Sequence, residues 1–235
     1  MPKTIGILGG MSPESTVEYY RHIIRSHISA NKDHNYPEII IYSVSFEPIT
    51  HMAEEGRWGD VAAQLGKSAR KLEKAGADFI VIATNTMHLV YNELQEAVSI
   101  PILNLLDIVA AEVKSRGISR IGVLGTHFTM QLNLYNESMK RQDIQVITPL
   151  NEDMEYVNKV IYEELIEGRF EDSSRIGFAG VINRLRTLGA QGVILGCTEI
   201  PLLISEKDSS LPVFDTARIH AEAALDFAMR DSNIK

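Results

Sequence analysis

Apolar positions along the chain follow two alternating rhythms. Nearly continuous apolar runs at Glu38–Tyr42 and Phe79–Ala83 predict parallel strands covered on both faces. Between them, residues 61–75 place Ala62, Leu65, Ala69 and Leu72 at helical spacing, with lysine and glutamate opposite. Such βαβ alternation predicts parallel sheets joined by right-handed crossovers.

The pattern is written twice. The strand and turn at 4–16 match those beginning at Arg120, with Ile5 and Ile121 separated by 116 residues. Gly76 to Thr84 matches Gly189 to Cys197, 113 residues on, and Pro101 matches Pro212, 111 residues on. Three matches in the same order imply two copies of one α/β unit. The expected fold is therefore α/β, with two similar lobes whose parallel sheets are related by a pseudo-twofold and an active site in the cleft between them. The expected division is 1–103 plus 212–235 for the first lobe and 104–211 for the second. The helix from Ala217 is expected to pack back onto the first lobe.

Composition narrows the partners. A net charge of −8 argues against a nucleic-acid footprint, which needs a clustered basic face. No apolar run is long enough to span a bilayer, and the opening residues lack a signal-peptide core. One cysteine cannot form an internal disulfide. The expectation is a cytoplasmic protein that acts on a small molecule and binds neither nucleic acid nor membrane. Seven histidines occur without His-Glu-x-x-His or paired Cys/His spacing, so no metal site is expected.

In open parallel sheets, ligands bind beyond the carboxyl ends of the strands. The segments 9–16, 84–88, 125–130 and 196–199 lie there, and each passes through Gly, Ser, Thr or Asn. Free N–H groups and hydroxyls in such turns suit carboxylates. The Gly9-Gly10 step lacks both G-x-G-x-x-G spacing and a Walker lysine, and reads as a tight strand-to-helix turn. A lone cysteine is commonly an inert buried residue. Cys197 stands out because it ends a strand and precedes Thr198, Glu199 and an expected helix start, which would lower the thiol pKa from about 8.5 toward neutrality.

These segments resemble the cofactor-independent aspartate/glutamate racemase family over essentially the whole chain. The resemblance rests on the opening Gly9-Gly10-Met11-Ser12, Asn85-Thr86-Met87-His88, the helix Ile161-Tyr-Glu-Glu-Leu165, and Leu195-Gly-Cys-Thr-Glu-Ile-Pro201. It implies an isomerase that needs no pyridoxal phosphate or other cofactor, acts on an acidic amino acid and forms a homodimer. Family members carry one cysteine per repeat, on opposite faces of the substrate α-carbon. Here the spacing pairs Thr84, not a second cysteine, with Cys197. A threonine hydroxyl is far too weak an acid to supply a base near neutral pH. The implied catalytic residues are Cys197 and Thr84, with Cys197 removing the α-proton of L-aspartate or L-glutamate and slow or absent exchange on the D side. Met11, Ser12, Asn85, Thr86, Thr126 and Thr198 are implied to line the substrate. An arginine frequent in aspartate racemases, in the loop after the second strand, is missing from Ser45–His51. Two rival expectations stand beside this one: a single-cysteine decarboxylase or isomerase of the same superfamily, and a non-catalytic amino-acid-binding protein.

Overall fold

A computed structural model describes residues 2–131 and 134–230. It divides into two compact units, Met1–Leu105 with His220–Lys235, and Leu106–Ile219.

The first unit is built on a four-stranded parallel sheet of order β2-β1-β3-β4. Its strands are β1 (Ile5–Gly9), β2 (Ile39–Ser43), β3 (Phe79–Ile82) and β4 (Ile102–Leu103). Connecting them are α1 (Pro13–Asn31), α2 (Phe46–Glu54), α3 (Trp58–Lys74) and α4 (Tyr91–Glu96). Helix α1 starts where Ser12 accepts a hydrogen bond from the Ser15 amide, 3.2 Å away, and Pro13 supplies a first residue whose φ already suits a helix. Helix α3 buries Ala62, Leu65, Ala69 and Leu72 as the periodicity predicts. Central β3 is buried throughout, each large side chain contributing about 1.5–3 kcal/mol of transfer free energy. Edge strand β2 departs from expectation: its residues are half-buried or exposed, because only one neighbour and part of one face cover it.

The second unit repeats the order as β6-β5-β7-β8. Here β5 is Arg120–Leu124, β6 Gln145–Ile147, β7 Gly192–Leu195 and β8 Val213–Asp215. Its helices are α5 (Leu105–Ser115), α6 (His127–Gln131), α7 (Asn136–Lys140), α8 (Asn151–Val160), α9 (Asp172–Thr187) and α10 (Ile200–Leu203). The expected helix at Ile161–Leu165 is a π-helical turn continuing α8.

The expected boundary at 211/212 is corrected by β8. This strand pairs in parallel with β7, Val193 opposite Val213, so it completes the second sheet. The chain returns to the first unit only within α11 (Thr216–Met229), from His220 onward. There the Lys3 amide donates to the Ala228 carbonyl at 2.9 Å and Phe227 packs edge-on to Phe79. Among the described residues no helix is long and apolar enough to cross a membrane.

Candidate active site

The chemistry-bearing residues lie at the carboxyl ends of the two central strand pairs, and each unit assembles its own set. In the first, Leu8 of β1 pairs with Ile82 of β3, and the Ala83 amide donates to the Leu8 carbonyl at 2.9 Å. Ser15, in the first turn of α1, donates its hydroxyl proton to the Ala83 carbonyl at 2.7 Å. That bond ties the Met11–Ser12 turn to the end of β3, which leads directly into Thr84, Asn85 and Thr86. Asn85 is buried, and Thr84 and Thr86 are half-buried.

The tight turn expected at Gly9-Gly10 is present, with φ +90° at Gly10. The Gly10 amide donates to Thr16 Oγ1 at 2.8 Å. Met11 packs inward among Leu8, Ile49 and their apolar neighbours, while Ser12 caps α1. The two residues resemblance assigned to substrate thus have structural roles of their own.

The second unit has the same construction. Leu124 pairs with Leu195, and the Gly196 amide donates to the Leu124 carbonyl at 2.7 Å. Thr129, in the first turn of α6, stands against Gly125 as Thr16 of α1 stands against Gly9 in the first unit. A Cβ on Gly196 would lie 2.8 Å from Thr129 Cγ2, so only glycine admits this approach before Cys197. Thr126 lies 3.5 Å, oxygen to oxygen, from the Thr129 hydroxyl.

Cys197 is half-buried, and its Sγ donates to Glu199 Oε2 at 2.9 Å. Thr198 donates its hydroxyl proton to the same oxygen at 2.8 Å. Burial pushes the thiol well above its ordinary value, and the adjacent Glu199 carboxylate pushes it further through its charge and the hydrogen bond. The expected depression is therefore corrected. Helix α10 is a single turn that starts beyond Glu199, and a buried negative charge outweighs any dipole it supplies.

Glu199 and His88 are the residues whose part here was missed. Glu199 is buried despite its charge, and a buried carboxylate needs donors, which Cys197 and Thr198 supply. His88 joins the Thr84 carbonyl to the start of α5. In both cases the sequence signal was the polar residue in an apolar strand-end segment. Ser45–His51, read as a loop, is the start of α2, and His51 is exposed, 3.3 Å from Glu55. Glu164 accepts a hydrogen bond from Ser174 at 2.6 Å.

Residues 8–224 match the family model described as Asp/Glu/Hydantoin racemase. The broad specificity amino-acid racemase RacX of Bacillus subtilis (strain 168) is 27% identical over 229 residues, spanning 94% of this chain and 96% of that one. A Yersinia pestis candidate Asp/Glu racemase is 43% identical, with a TM-score of 0.90 over 97% of this chain and 99% of its own. An aspartate racemase homologue from Pyrococcus horikoshii OT3 is 36% identical, with a TM-score of 0.86 over 96% of this chain and 99% of its own.

Proposed function

The chain belongs to the Asp/Glu/hydantoin racemase family, and from that premise we propose that it exchanges the α-proton of aspartate or glutamate without a cofactor, chiefly on the L-enantiomer. Cys197 is the acid–base group. The observation that carries this reading is the unequal chemistry at two equivalent strand ends: a thiol at Cys197, a hydroxyl at Thr84.

In the resting protein the Cys197 sulfur is a thiol that donates to Glu199. Transfer of that proton to Glu199 Oε2 yields the thiolate, which accepts the α-proton of the L-amino acid as the Cα–H bond breaks. The electron pair left behind spreads into the substrate carboxylate. Return of the proton from Cys197 restores the L-form, and protonation on the opposite face gives the D-form. Thr84 assists by hydrogen bonding alone, because a hydroxyl is a far weaker acid than a thiol. Asn85, Thr86, Thr126 and Thr198 supply neutral donors and acceptors for the carboxylates and the ammonium group, which suits a zwitterion better than an aryl substrate.

NMR in deuterated water tests the reading. Deuterium is expected at the α-carbon of L-aspartate or L-glutamate, with the D-forms exchanging at least tenfold more slowly. Equal exchange from both enantiomers contradicts the asymmetry, and no exchange from any of the four contradicts the activity.

A further inference from the structure

Three buried side chains in the first unit, Tyr19, His88 and His220, form a polar network that the reaction above does not use. His88 Nδ1 lies 2.9 Å from the Thr84 carbonyl, which only accepts, so this nitrogen carries the hydrogen. His88 Nε2 then accepts from the Leu105 amide at 3.2 Å. The neighbouring ring is the reverse. His220 Nε2 donates to the Leu103 carbonyl at 3.1 Å, and its Nδ1 accepts from the Tyr19 hydroxyl at 2.9 Å. The two imidazoles sit 5.9 Å apart, edge to face, as opposite neutral tautomers.

Of these rings, that of His88 engages the backbone that carries Thr84. The Thr84 amide donates to the Ile82 carbonyl at 2.9 Å, and the Thr84 carbonyl is taken by the His88 ring. One residue on, the Asn85 carbonyl accepts from the His88 amide at 3.0 Å. His88 therefore holds two consecutive carbonyls and fastens them to Leu105 at the start of α5. In the second unit the position matching His88 is Pro201, which has no side-chain hydrogen bond to give. The imidazole clamp is thus confined to the half with a hydroxyl in place of a thiol. A thiol contributes through its acidity, but a hydroxyl that cannot ionise contributes only through its direction.

We propose that His88 is a positioning residue for Thr84 and Asn85, its neutral Nδ1–H tautomer fixing the peptide from which both side chains project. This rests on the functional reading above, and the test separates the two. In the full-length protein, 15N–1H NMR of the imidazoles is expected to show His88 protonated at Nδ1 and His220 at Nε2. A His88 ring protonated at Nε2 overturns the clamp whatever the activity. His88→Ala, which releases the peptide that orients Asn85 against the substrate as well as Thr84, is expected to lower kcat for L-side exchange at least tenfold with KM within about twofold. His88→Asn, whose amide can donate from the place of Nδ1, is expected to recover kcat to within about threefold of the parent. His88→Gln, which reaches toward Leu105 instead, is not. If the alanine variant does not fold, the Asn and Gln variants carry the comparison. Equal kcat in those two, or an alanine variant as active as the parent, overturns the proposal. Should the parent exchange none of the four amino acids, the functional reading fails, and the His88 tautomer together with Leu105 amide protection still decides the clamp.

Discussion

Thr84 and Cys197 hold the same register position in two sheets of the same strand order. Each is the second residue past the last paired residue of its strand, Ile82 opposite Leu8 in one case and Leu195 opposite Leu124 in the other. The equivalence reaches the hydrogen bond before each residue, from the Ala83 amide to Leu8 and from the Gly196 amide to Leu124. Strand register and the preceding hydrogen bond are common to both ends, whereas the side chain that follows is a hydroxyl in one and a thiol in the other. Thr84→Cys is accordingly expected to raise α-proton exchange from the D-amino acid by about 10²-fold, the scale of a positioned general base. Deuterium incorporation into D-aspartate and D-glutamate checks this. No gain would mean that the Thr84 position does not serve the substrate.

The Cys197 thiol is raised by burial first and by Glu199 second. Alkylation by iodoacetamide, which follows the thiolate, is expected to be slow at pH 7 and to climb steadily above pH 9. Glu199→Gln removes the negative charge and puts a neutral amide in its place, so the alkylation profile should move to lower pH. The displacement is partial because burial remains. A profile that stays put would mean that the Sγ–Oε2 contact has no bearing on the thiol.

Much of this arrangement was legible in the residues. Parallel βαβ units leave long apolar runs, and a duplication preserves spacing, so the strand ends and the Thr84–Cys197 pairing could be read from counting alone. What counting missed depends on partners distant in the chain. Whether Val213–Asp215 joins the first or second sheet is decided by its pairing with β7, and its own composition suits either. The segment 45–51, expected to be a loop, opens α2, and its Pro48 stands in the first turn, where the missing amide hydrogen has no intrahelical partner to lose. The thiol was expected to be acidic because a helix start can be inferred from sequence, whereas the direction of the Glu199 side chain cannot.

Gly10 offers a test of the first turn. Its φ is +90°, and an added Cβ would stand 2.3 Å from the Val44 carbonyl oxygen and 2.5 Å from the Val44 nitrogen. Both are backbone atoms, held by the bond from the Val44 amide to the Gly9 carbonyl at 3.0 Å. Gly10→Ala is expected to cost at least about 2 kcal/mol through strain and overpacking. The matching fall in Tm is roughly 4–8 °C for a chain of this size, read by calorimetry. By contrast, Gly56→Ala has open space around its Cβ and carries only the penalty of a φ of +70°. A smaller loss at Gly10 than at Gly56 would contradict the close approach.

Acid stability should report on His220. Burial first and the nearby His88 second bring its pKa down to about 3, against the opposing hydrogen bond to the Leu103 carbonyl. In the unfolded chain the same ring titrates near 6.5. Between these values the unfolded chain binds a proton that the folded one refuses, so stability falls as pH falls across that window. The contribution is complete above about pH 6.5 and is lost progressively toward pH 3, a difference on the order of 5 kcal/mol. His220→Gln keeps a donor for Leu103 and an acceptor for Tyr19 but cannot titrate. Its Tm is expected to be lower at pH 7.5, because an amide fits the space of a ring imperfectly. From pH 6.5 to 4 its Tm should decline more gently than the parent's, the two curves converging. Thermal denaturation at half-unit steps of pH distinguishes the cases, since curves that remain parallel would place the acid sensitivity in other groups.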